Sequence, residues 1–273
     1  MKNNTKFVLS MSALTLMAAE AATAGFTPFV IRNADQDGGS NPSISTSGAN
    51  TTFGIEYKRQ KAGFGSNDVN GITVGQISNM QFTLTSATAY AGTTAPVILP
   101  YVNIWAQDAA SGNYFVIYFG LDAFVTDTGG VKSVNLGFNE MATAGAFVGV
   151  SESNAASNGT AIAGTWLATA LGAPGANGGS GYTMAQVANF QIVAPPSSWV
   201  VSGNTNGVGG AAPRQLGTDT TFGFNWIFGQ GSSSNNGYNG YDYTVSGVSV
   251  VPAPSALALL GVAGLAGSRR RRA

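Results

Sequence analysis

Met80-Gln-Phe-Thr-Leu-Thr-Ser86 alternates apolar and polar side chains. Successive side chains of an extended strand point to opposite faces, so Met80, Phe82 and Leu84 share one face and Gln81, Thr83 and Thr85 the other. A period of two belongs to a strand half-buried on a core. Phe53, Ile55 and Tyr57 repeat it. Val97 to Ala106 and Asn113 to Gly120 are apolar on both faces and read as central strands, joined by Asp108-Ala-Ala-Ser-Gly112 as a hairpin loop. Phe222, Phe224, Trp226 and Phe228 form an aromatic stripe that reads as core. In Tyr241 to Val251 the phase changes. Tyr241, Tyr243 and Val245 share a face with Val248 and Val250 only if Ser246-Gly247 forms a bulge. Helical patterning is weak, and its best stretch is Thr183 to Asn189 with Thr183 as the cap.

These patterns predict an all-β fold, an antiparallel, jelly-roll-like β-sandwich with at most one or two short helices. The 273 residues include 38 glycines, many of them in connecting segments, and show no fixed-period repeat. The body is expected to be one domain, residues 25–251. With no cysteine and no histidine, the chain lacks the usual ligands for zinc, haem and iron–sulfur clusters and the base of Ser-His-Asp catalysis. No cofactor is expected.

The two ends have a different composition. Lys2 and Lys6 precede an apolar run from Phe7 to Ala19, and Ala22-Thr23-Ala24 offers the small residues a signal peptidase reads. Residues 1–24 are therefore expected to be a secretory signal peptide, cut after Ala24. Its 13-residue run is shorter than the roughly 20 residues needed to span a bilayer. At the other end, Pro252-Ala253-Pro254 precedes 14 uncharged residues, Ser255 to Ser268, and then Arg269, Arg270, Arg271 and Arg272. As a helix those 14 residues would extend about 21 Å. That is short for a bilayer unless the arginines snorkel or the bilayer thins. The arginines would hold their end cytoplasmic, and the prolines would stop the helix from extending backward. Without both ends, six basic and eleven acidic residues remain, a net charge of −5. That balance argues against nucleic acid as a partner.

The order Pro-Ala-Pro, apolar stretch, arginine cluster resembles a PEP-CTERM sorting signal. The resemblance covers residues 252–273 and not the body. It implies a bacterial envelope protein sorted by an exosortase-type cysteine transpeptidase, with transient membrane anchoring and a tail removed near the motif. Ala253 stands where that family has glutamate, which bears on which processing enzyme reads the motif. The expected location is the cell envelope, outer surface or extracellular matrix.

Within the body, a secreted carbohydrate-binding module associated with exopolysaccharide is the alternative reading. Its platform would be Trp105, Trp199, Tyr238 or Tyr241, aromatic rings able to stack on sugars. Trp105 alternates with Asn103 and Gln107, on the polar side of its strand, and is either such a platform or packed beneath a second layer. Asn33, Asp35 and Asp37, followed by Gly38, match the first half of a calcium loop, but Ile44 stands where the bidentate glutamate belongs. Ser66 to Gly71 is a poorer copy, and such segments also form ordinary Asx turns. The carboxylates Glu56, Asp68, Asp108, Asp122, Asp127, Glu140 and Glu152 contain no pair that stands out as an acid and base, and no enzymatic role is expected.

Overall fold

The computed structural model describes residues 25–32, 41–56, 60–143, 147–152, 166–172, 182–196, 220–229 and 240–253. The strands in chain order are β1 (Thr27–Arg32), β2 (Ser43–Ser47), β3 (Asn50–Ile55), β4 (Lys61–Ser66), β5 (Ile77–Ala89), β6 (Tyr101–Gln107) and β7 (Tyr114–Gly120). They continue with β8 (Thr126–Thr128), β9 (Val131–Leu136), β10 (Phe147–Glu152), β11 (Tyr182–Thr183), β12 (Gln191–Ile192), β13 (Phe224–Phe228) and β14 (Tyr241–Pro252). Sheet A runs β1-β4-β13-β6-β7-β10-β11, with β12 pairing to β6, and sheet B runs β2-β3-β14-β5-β9-β8. The pairings between these strands are antiparallel. The fold is an all-β antiparallel sandwich, as the alternation implied.

Aromatic side chains join the two sheets. Phe53 of sheet B stacks on Phe228 of sheet A at 5.0 Å and meets Phe64 edge-on at 4.9 Å. Phe82 meets Trp226 at 5.2 Å, and Tyr243 lies 5.6 Å from Phe228. Met80, Phe82 and Leu84 of β5 all face this core, and Ile104, Phe115 and Ile117 close it from the other sheet. Each fully buried Phe or Leu contributes about 1.5–3 kcal/mol through removal from water, and the edge-on pairs add to that.

The anticipated bulge in β14 is present. The register against β5 shifts between Ser246 and Ser249, and Gly247 sits at φ 60°, where a side chain would be strained. Two boundaries differ from the sequence pattern. β6 begins at Tyr101 rather than Val97, because Pro96 and Pro100 lack the donors a ladder needs. Phe222 does not join the stripe of Phe224, Trp226 and Phe228 but lies on the opposite face beside Phe29, at 5.1 Å. The cause is local. Gly223 donates its N–H to Asn67 Oδ1 at 2.9 Å, which breaks the alternation one residue before β13 begins.

Among the described residues there are three short α-helices, one more than the weak helical patterning suggested: α1 (Phe138–Thr143), α2 (Trp166–Leu171) and α3 (Met184–Val187). Thr183 precedes α3 as expected, and its N–H donates to Gln186 Oε1 at 3.0 Å. The same reach-back closes α1, where Gly137 N–H donates to Glu140 Oε2 at 2.8 Å. It also closes the 3-10 turn Val74–Gln76, where Thr73 N–H donates to Gln76 Oε1 at 2.8 Å. None of these described helices is long and apolar enough to cross a membrane. The expected C-terminal helix at 255–268 and the signal peptide lie outside the described residues.

The outer faces of the two sheets differ. On sheet A, Phe29, Ile31, Phe222 and Ile227 form one buried cluster, and Trp105 with Val116 forms another. The Phe222 ring rests on the backbone of β4, where a Cβ on Gly65 would stand 2.2 Å from it. Lys61 is buried there with its ammonium donating to the Tyr101 hydroxyl, and burial raises the Tyr101 phenol far above its ordinary range. On sheet B, cross-strand rows of hydroxyl groups replace the apolar clusters. Ser45, Thr52, Thr244 and Ser86 occupy one row across β2, β3, β14 and β5. Thr126, Ser133, Thr83 and Ser246 occupy another across β8, β9, β5 and β14.

Candidate functional site

The junction between the body and the Pro-Ala-Pro motif is built by β14. Tyr241 to Val245 lies between β3 and β5 in the interior of sheet B, whereas the later residues of β14 pair with β5. The motif continues this ladder. Pro252 stands opposite Ile77, and the Ala253 N–H donates to the Gln76 carbonyl at 2.6 Å. Ser78 donates its hydroxyl to the Val251 carbonyl at 2.9 Å. Gln76 is itself fixed, since its 3-10 turn receives the Phe190 and Ala188 carbonyls on Val74 N–H and Gly75 N–H at 3.0 and 2.8 Å. The first two residues of the motif thus belong to the sheet, and the tail leaves from the end of an interior strand. Pro254 and Arg269, Arg270, Arg271 and Arg272 lie outside the described residues, as do Ala22 and Ala24.

The loop at Ser66 to Gly71 is held by its own side chains. Asn67 donates to the Thr221 carbonyl at 2.8 Å, and its Oδ1 accepts from Gly223 N–H and from Asn70 Nδ2 at 2.9 and 3.0 Å. Asp68 accepts from the Gly25 nitrogen, and its own N–H donates to Ser66 Oγ at 3.2 Å. This segment works as a structural turn that ties Gly25, just before β1, and the approach to β13 into one corner. The first calcium candidate, Asn33, Asp35 and Asp37, lies outside the described residues.

The glycan-stacking candidates are placed as follows. Trp105 is 1% exposed, on the outer face of sheet A with Val116, Tyr114 and Tyr118 around it. It is buried and presents no ring to a ligand. Its strand neighbour Asn103 pointed to a wet face, but Asn103 is itself buried opposite Asn225, whose amide reaches the Phe222 carbonyl at 3.1 Å. Tyr241 is 7% exposed, tilted against Tyr243 at 5.7 Å, with its hydroxyl donated to the Ala95 carbonyl. It is a core residue. Tyr238 and Trp199 lie outside the described residues. Among the described residues the large hydrophobic side chain that is exposed is Val131.

The carboxylates serve turns. Asp108 accepts from the hydroxyl and N–H of Ser111, which holds its carboxyl below the usual range and closes the β6–β7 hairpin. Asp127 accepts from Lys132 and from Gly130 N–H, and the lysine hydrogen bond holds it low as well. Glu140 closes α1. Asp242, which the sequence did not single out, accepts from the Tyr90 hydroxyl at 2.5 Å. The Gln76–Ala253 and Asp68–Gly25 contacts were also not anticipated, since they join residues far apart in the chain. Among the described residues no three carboxylates gather as a metal would need. No protein-family model matches the chain, and neither a curated protein nor a solved structure matches it.

Proposed function

We propose that this is an exported bacterial cell-envelope or extracellular-matrix protein, sorted through residues 252–273 as a PEP-CTERM-like signal. The observation that carries the proposal is the order of parts in the sequence: a charged, apolar, small-residue leader, then a β-rich body, then Pro-Ala-Pro, an apolar stretch and four arginines. The sandwich fits the role of a passive exported body, with its aromatics in the core and a hydroxyl-rich face on sheet B. The partners are a signal peptidase at Ala24 and an exosortase-type transpeptidase at the motif. Because Pro252 and Ala253 are laddered to Ile77 and Gln76, the enzyme would act within a residue or two of a folded sheet.

Intact-mass spectrometry of the protein from membrane, surface-extract and culture-fluid fractions tests this. The expected result is surface or released material lacking both residues 1–24 and Arg269 to Arg272. A full C-terminus found only in membranes would replace the reading with a plain anchored surface protein. Of the four aromatic residues singled out for sugar stacking, Trp105 and Tyr241 are buried, which leaves Tyr238 and Trp199 as the candidates for association with exopolysaccharide.

A further inference from the structure

Gly25 is the residue that follows the expected signal-peptide cut, and its nitrogen lies within hydrogen-bonding distance of Asp68 Oδ2. Two features make this a fixed geometry, and a third shows that it is not tied to glycine. Phe26 wedges edge-on against Phe64 at 6.3 Å and Phe224 at 6.2 Å, so the chain is anchored in the core one residue later. Asp68 lies on the loop that Asn67 ties to Thr221, Gly223 and Asn70. A Cβ on Gly25 would stand 3.8 Å from Asp68 Oδ2, an ordinary contact, so the position does not need glycine for space.

We propose that Asp68 is the docking site for the amino terminus that signal-peptide removal creates, an inference that rests on the export reading above. Hydrolysis of the Ala24–Gly25 bond adds one water: Ala24 leaves with a carboxylate, and Gly25 keeps the amine, which takes up a proton near neutral pH. Before the cut, Asp68 accepts from a neutral amide with one hydrogen. After it, the same carboxylate faces an ammonium with three. The bond before the cut is already assisted by the charge on its acceptor; the cut adds the attraction of a full opposite charge on the donor, a modest gain at an exposed position. The charge left by processing thus tightens the corner where β1, the Asn67 loop and the approach to β13 meet. The side chains that build this corner besides Asp68, namely Ser66, Asn67, Asn70, Phe26, Phe64 and Phe224, are uncharged.

The sign follows from the pairing. A carboxylate beside the amine raises the pKa of the amine, so the added stability is full below the ordinary α-amino range of about 7.7–8.0 and is lost as pH rises through the raised value. The test uses protein exported with its own leader. N-terminal sequencing comes first. The α-amine is then titrated through the pH dependence of its acylation rate, read by mass spectrometry, in wild type, Asp68→Asn and Gly25→Ala. The expected result is a terminus at Gly25 and a midpoint about half a pH unit above the ordinary range, as an exposed ion pair supplies. Asp68→Asn should return the midpoint to that range, and Gly25→Ala should leave the raised value intact. A Gly25 terminus whose amine titrates identically in wild type and Asp68→Asn overturns the docking alone. A terminus at another residue overturns both the docking and the expected cleavage site.

Discussion

The two sheets share a core but have unlike outer faces. In sheet A, β4 and β13 are buried along their whole length, because aromatic and branched side chains point outward as well as inward. In sheet B the outward positions are mostly polar, with Ser, Thr, Asn and Gln prominent, and Thr52 and Thr244 join their hydroxyls across the strands at 3.0 Å. The lesson concerns what alternation can reveal. Alternation marks a strand with one wet face, whereas a strand buried on both faces shows its second face only as an excess of apolar residues. Sheet A is apolar and buried on both faces over β4 and β13, and sheet B keeps one polar face.

The comparison can be broken from its strongest point downward. Trp226 lies between the sheets, so Trp226→Ala should cost about 3–5 kcal/mol in urea denaturation. Ile227, its neighbour on the outer face of sheet A, is also fully buried. Ile227→Thr should cost about 2–3 kcal/mol, whereas the reverse exchange on sheet B, Thr244→Val, should stay within about 1 kcal/mol. Equal costs for the two exchanges would mean that the outer faces do not differ. Gly65→Ala would force the Phe222 ring off β4, and a loss of about 1–3 kcal/mol is expected. In a double-mutant cycle Phe222→Ala should recover much of it, and simple additivity would remove that contact. The smallest effect is on the acid side. The Ser111 hydrogen bonds depress the Asp108 carboxyl in the folded state, so their contribution is present above the ordinary carboxylate range and fades as pH falls through the depressed value. Asp108→Ala should flatten that part of the stability curve slightly.

Much of the fold was legible. The β5 alternation, the β6–β7 hairpin, the Gly247 bulge and the Thr183 cap each follow from a local signal, a period, a turn composition or a capping residue. Trp105 was legible only as an ambiguity. Its neighbours Asn103 and Gln107 are polar, and whether such a face is wet depends on what packs over it from elsewhere. Phe222 broke the stripe because a distant side chain, Asn67, captures the Gly223 N–H. The same limit applies to function. The addressing segments proposed for the two ends rest on contiguous residues. The contacts beside them, Asp68 with Gly25 and Gln76 with Ala253, join positions 43 and 177 residues apart and have no local signature.

The place of β13 and β14 sets the timing of folding. Each is among the last strands of the chain, yet β13 lies between β4 and β6, and β14 lies between β3 and β5. The earlier strands on either side of them have no partner at these positions until residues 224–252 arrive, so each sheet stays split into two halves while the chain is being made. The final strands act as a latch: the body reaches its native state only when the residues leading into the motif are available, and a chain threaded outward amino end first would cross its channel before it could fold.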